Sequence, residues 1–132
     1  MTEWLHLRAE TAADLPALSA LVQDMTVIAD DIAFDARRRQ LSLIGNRYRW
    51  EAETPTRSRT ALRLDFVEAV QHRAMPADPR TVLALLALTL ADDELTLAFA
   101  NGTTIRARIE ALDLTLDDLG GPWGATAVPC HD

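Results

Sequence analysis

The order of apolar and polar positions divides the chain into short strands and one helix. Trp4, His6 and Arg8 alternate with Leu5 and Leu7, the period of two expected of a strand. The period then lengthens. Thr11-Ala12-Ala13-Asp14 resembles a capping box, Pro16 suits a first helical turn, and Leu15, Leu18, Leu21, Val22 and Met25 form one stripe, which predicts a helix over Ala12 to Met25. Alternation returns at Ile28, Asp30, Ile32 and Phe34, and Asp35-Ala36-Arg37-Arg38-Arg39 lacks an apolar anchor, as a hairpin connection would.

In the next strand, from Gln40, Leu41 and Leu43 have one parity while Tyr48 and Trp50 have the other. A β-bulge at Ile44-Gly45 would return the two aromatics to the core face and leave Arg47, Arg49 and Glu51 in water. After a loop at Glu53 to Thr56, a strand places Leu62, Leu64 and Phe66 opposite Arg57, Arg59, Arg63 and Asp65. The segment Pro76 to Pro79 ends it, since proline withholds a ladder donor. Val82 to Leu90 is apolar on both faces and reads as a central strand covered by the helix. Asp92-Asp93 turns the chain, Leu95, Leu97 and Phe99 follow, and Asn101-Gly102 is the strongest hairpin signal present, returning through Ile105, Ala107 and Ile109. Ala111 to Leu119 fits either a strand or a helix, and the stop at Gly120-Gly121-Pro122 tips the reading toward a short helix, with an extended tail from Trp123 to Asp132. These elements imply an α+β fold: a curled antiparallel sheet of about six or seven strands, a roll or small barrel, with the N-terminal helix packed on it. Open sheet edges make a homodimer an expectation that light scattering would test.

Size and composition narrow the class. The 132 residues, 48% hydrophobic and 25% charged, suit a single domain spanning residues 1–132 and exclude disordered, collagen-like and disulfide-scaffold chains. The single cysteine, Cys130, cannot form an intrachain disulfide and fits a reducing, cytoplasmic setting. The N-terminus lacks the pattern of a signal peptide, and no apolar run approaches the roughly 20 residues of a membrane helix.

Charge is unevenly spread. All 13 basic residues are arginine, and eight fall between Arg37 and Arg63 with only Glu51 and Glu53 among them, so this window carries 8 − 2 = +6 and the rest of the chain 5 − 18 = −13. Alternation around Tyr48 and Arg59 would put Arg47, Arg49, Arg57, Arg59 and Arg63 on one solvent face, where guanidinium groups could hold phosphate or a nucleic-acid backbone. The competing structural reading pairs these cations across strands with Asp31, Asp35, Glu51 or Asp65.

Other chemistry is sparse. His6, His72 and the terminal Cys130-His131-Asp132 are the only histidine or cysteine groups, and sequence neighbours on an extended tail point apart, so catalysis by a Cys130-His131 pair is disfavoured, with His131 left as a possible tail site. Paired ligand spacings for zinc and glycine-rich phosphate loops are both missing, and so neither a metal nor a nucleotide cofactor is expected.

Asn46-Arg47-Tyr48-Arg49-Trp50-Glu51, the stretch Arg59 to Phe66, Asp118-Leu119-Gly120 with Pro122-Trp123, and Pro129-Cys130-His131-Asp132 together resemble the bacterial family of unknown function DUF2948. The resemblance spans essentially the whole chain. It implies a small cytosolic bacterial protein and supplies no activity, and in that family Cys130 is not a recurring feature. The leading functional expectation is a non-catalytic binding or protein-interaction module. Nucleic-acid or phosphoanion binding through the arginine face is the alternative, and an enzyme built on the Cys130-His131 tail ranks last.

Overall fold

A computed structural model describes residues 4–124. Among the described residues nine strands form one open antiparallel sheet: β1 (His6–Ala9), β2 (Thr26–Asp35), β3 (Gln40–Tyr48), β4 (Thr56–Leu64), β5 (Val67–Arg73), β6 (Val82–Ala91), β7 (Glu94–Phe99), β8 (Thr104–Ile109) and β9 (Leu114–Gly124), with one α-helix, α1 (Leu15–Leu21), between β1 and β2. Their order across the sheet is β1-β9-β4-β3-β2-β6-β7-β8-β5. Mostly antiparallel sheet plus one helix agrees with the α+β expectation. The strand number exceeds the expected six or seven, and because β1 and β5 are both unclosed edges the sheet is not a barrel.

The two halves of the sheet meet at a narrow seam, where only Thr26, Val27 and Ile28 of β2 pair with Ala84, Leu83 and Val82 of β6. Leucines from both sides, including Leu43 and Leu62 from one half and Leu88 and Leu97 from the other, line a void of about 10 Å³, so the halves share one tightly packed core. Leu15 and Leu18 bring α1 into that cluster, together with Val22 just after it. The helix is shorter than the apolar stripe implied. Pro16 lies in its first turn and Asp24 takes a left-handed φ of 64°, which ends helical geometry before Met25.

Several sequence readings needed correction. The irregularity is in β2, not at Ile44-Gly45: β3 pairs with β4 in unbroken register from Leu41 to Tyr48, whereas β2 shifts between Val27 and Ile32. Its residues there turn to the other side, Ala29 N–H donating to Thr81 O and Asp30 N–H to Pro79 O. The long strand expected from Arg57 is two, β4 and β5, divided at Phe66 with φ 59°. Finally, the ambiguous segment is strand β9, held between β1 and β4. Val82 to Leu90 does lie centrally, and Asn101 and Gly102, with φ of 66° and 81°, do turn β7 into β8.

Candidate functional site

The unbroken register of β3 decides where the arginines go. On its inner face stand Leu41, Leu43, Gly45 and Arg47, opposite Leu64, Leu62, Thr60 and Ser58 of β4, while β9 sets Leu114, Leu116 and Asp118 against Leu64, Leu62 and Thr60. Three strands therefore change together from leucine to polar side chains at one end of the core.

There Arg47 is fully buried. Its NH1 and NH2 donate to Glu51 Oε1 and Oε2 at 2.8 and 2.9 Å, and its Nε and NH2 donate to Asp118 Oδ1 and Oδ2 at 3.2 and 2.8 Å. Asp118 also accepts the Thr60 hydroxyl at 2.7 Å and the Leu5 N–H at 3.0 Å. Arg49, also buried, donates from NH1 to Thr56 Oγ1 and has its Nε 3.8 Å from Glu51. Two guanidinium groups thus balance two carboxylates. Burial alone would lower the Arg47 pKa, but the hydrogen bonds and charges of Glu51 and Asp118 outweigh it and raise it. Burial would raise Asp118 and Glu51, yet hydrogen bonds from Arg47 hold both below the usual carboxylate range. With its guanidinium enclosed and paired on both edges, Arg47 is a structural group.

The other three candidate arginines lie on the opposite face. Arg57 is level with Tyr48, Arg59 with Asn46 and Arg63 with Ser42. Arg57 donates to Asn46 O and stacks 5.8 Å over the Tyr48 ring, and Arg63 Nε lies 3.1 Å from Asp65 Oδ2. Arg59 is exposed, with no carboxylate in ion-pair range among the described residues. The single arginine face expected from alternation is therefore split: Arg47 and Arg49 point inward and Arg57, Arg59 and Arg63 outward. Tyr48 is not on the core face with Leu41 and Leu43 as the bulge reading had it. It stands outside, covered edge-on by Trp50 at 4.6 Å, whose Nε1–H donates to Gln23 O.

A second feature is an open groove of about 550 Å³ between α1 and β6, lined by Leu15, Pro16, Ser19, Leu86, Leu88 and Leu90 among others. Along this edge β6 first pairs with β2 and then, at Leu85, exchanges backbone hydrogen bonds with Asp24 and Met25. Beyond Leu85 no strand among the described residues follows on that side. Instead Ser19 Oγ accepts the Leu88 N–H at 2.9 Å. Because hydrogen-bonding direction alternates along a strand, the N–H and C=O of Leu90 point the same way, into the groove.

The family model described as protein of unknown function (DUF2948) matches residues 5–131. The chain belongs to that family. No curated protein and no solved structure matches it. In this DUF2948 chain, no group of three or more His, Cys, Asp or Glu among the described residues could hold a metal ion, and no described helix is long and apolar enough to cross a membrane. His131 and Cys130 lie outside the described residues.

The structural reading of the sequence offers Glu51 as a neutralising acid, and Arg47 does pair with it, but Thr60 and Asp118 are not legible as partners. The signal was present in the odd parity of Leu41, Leu43, Gly45 and Arg47. Reading it without a bulge would have put an arginine in the core and required buried acids to neutralise it.

Proposed function

We propose that this protein is a non-catalytic binding module that takes an extended peptide of a partner protein by strand addition along β6, in the groove beside α1. The observation that carries the reading is that, among the described residues, β6 has no strand partner on this side beyond Leu85, where backbone groups face an apolar groove and a serine hydroxyl occupies the place of a neighbouring strand. Backbone hydrogen bonds supply affinity in this mode, and pockets for alternate side chains supply specificity. Leu15, Leu86 and Leu90 offer such apolar contacts, with Leu86 39% exposed.

Charge supports a basic occupant. Since Asp24 meets Leu85 and Ser19 meets Leu88, α1 runs opposite to β6, and Asp14 before α1 is at the same end as Asp92 and Asp93 after β6. An extended segment with apolar residues at alternate positions and arginine or lysine at that end fits both features.

Selection from a displayed random-peptide library, followed by fluorescence anisotropy of the recovered peptides, tests this. The expected peptides alternate apolar and polar residues, carry a flanking positive charge, and lose binding to Leu86→Arg or when a central proline removes a backbone donor. Recovery of no binder, or equal binding to the Leu86→Arg protein, overturns the reading.

A further inference from the structure

A different site lies at the far edge of the sheet, outside the arginine-rich window. In the β5–β8 pair, Gln71 is opposite Arg106 and Arg73 opposite Thr104, so these four side chains share one face. Together with Val70 and His72 they line a cavity of about 400 Å³. That volume falls within the range of small-ligand pockets, roughly 300–1,000 Å³.

The lining chemistry is one-sided. Two guanidinium groups and the Gln71 amide present N–H donors, and among the described residues no carboxylate lines the cavity. Thr104 donates its hydroxyl proton to Gly102 O at 3.2 Å, which leaves the Thr104 oxygen as an acceptor. The nearest acid is Glu94, 3.9 Å from Arg106 Nε, with both side chains about half exposed, a contact that water and salt screen. Among the described residues Arg73 has no carboxylate within ion-pair distance. Such a site favours an anion with several acceptor oxygens. The planar guanidinium fork matches phosphate oxygens two at a time, and a bare phosphate would leave most of the cavity empty.

We propose that this cavity binds a small phosphate monoester, with Arg73 and Arg106 holding the phosphate and Gln71 and Thr104 meeting the hydroxyls of a sugar-sized remainder. The site is separate from the α1–β6 groove and stands whether or not a peptide binds there.

Calorimetric titration of the purified chain with ribose 5-phosphate, inorganic phosphate and ribose in parallel tests it. Saturable binding of ribose 5-phosphate is expected, with weaker binding of inorganic phosphate and none of ribose. Arg73→Ala and Arg106→Ala should each weaken binding about tenfold or more, the loss expected of a charge-assisted hydrogen bond. Arg59→Ala, an exposed arginine elsewhere, should leave it unchanged. Amide shifts on titration should concentrate at Gln71, Arg73, Thr104 and Arg106. No binding of either phosphate probe, equal weakening by Arg59→Ala, or shifts centred elsewhere would overturn the site. Inorganic phosphate binding as tightly as the ester would overturn the monoester assignment.

Discussion

Arg47 and Asp118, 71 residues apart in the chain, meet through two hydrogen bonds of 3.2 and 2.8 Å between side chains that are 0% and 1% exposed. A buried ion pair of this kind is sensitive to losing one member, because the survivor remains desolvated without its counter-charge. Asp118→Ala should lower unfolding stability by about 3–5 kcal/mol, measured by urea denaturation. Arg47→Met combined with Asp118→Leu should recover most of that loss, since apolar replacement removes both desolvation costs and Glu51 can turn to water. A double variant no more stable than Asp118→Ala would contradict this account.

The same cluster predicts acid sensitivity. Glu51, Asp118 and Asp113 all titrate below their ordinary values in the folded state: Arg47 prevails over burial for the first two, and the hydrogen bond from Arg8 lowers the third. Their unfolded values are near 4. A depressed folded value contributes stability that is fully present above the unfolded pKa and is lost as pH falls through the folded one. Melting temperature should therefore hold steady in mildly acidic buffer and drop below about pH 4. Asp118→Asn should flatten that drop while lowering stability at neutral pH, and an unchanged acid limb would show that Asp118 does not contribute to it.

Gly45 marks a close approach of two strands. A Cβ there would lie 2.2 Å from Thr26 O and 2.9 Å from Val27 Cγ2, so backbone would have to move at the residues that also form the seam with β6. Gly45→Ala should cost about 3 kcal/mol or more, the upper range for overpacking. At Gly102 the space is open and only the positive φ opposes a side chain, so Gly102→Ala should cost roughly 1–2 kcal/mol. Thermal melts of the two variants would give the ordering, and the reverse order would mean that β2 and β3 are not packed this closely.

The outward arginines should behave differently from Arg47. Arg59→Ala and Arg63→Ala should each change stability by no more than about 0.5 kcal/mol, because exposed ion pairs contribute little. Chemical denaturation checks this, and a loss comparable to that of Asp118→Ala in either variant would show that the outer face holds the sheet together.

Local signals were legible where local chemistry sets the structure. Asn101-Gly102 tolerates positive φ, and Asp35 Oδ1 accepts the N–H groups of Arg37 and Arg38 to fold the connection between β2 and β3. The break at Phe66 was invisible because nothing about phenylalanine favours its left-handed backbone. Three distant hydrogen bonds fix it, Asp65 N–H to Asp113 O, Val67 N–H to Arg39 O and Glu110 N–H to Phe66 O. Likewise Leu112, Leu114 and Leu116 fit a strand while Ile109, Leu112, Leu116 and Leu119 fit a helix stripe, and pairing with β1 and β4 selects the strand. The inner ion cluster is hidden from the sequence for one reason. Large aromatics in a strand ordinarily point inward, whereas Tyr48 is covered from outside by Trp50 and Arg57, which leaves the inner place to Arg47.

The position of β9 between β1 and β4 sets an order in time. A ribosome makes β3 and β4 well before β9, and Thr60 and Arg47 precede Asp118 by 58 and 71 residues. At about 5–20 residues per second the interval is on the order of several seconds. Until β9 emerges, Arg47 has Glu51 but not Asp118, and β4 has an unpaired flank. The last described strand is thus a latch: its arrival pairs that flank and supplies the second carboxylate in a single step, and a nascent chain released before Leu114 lacks both.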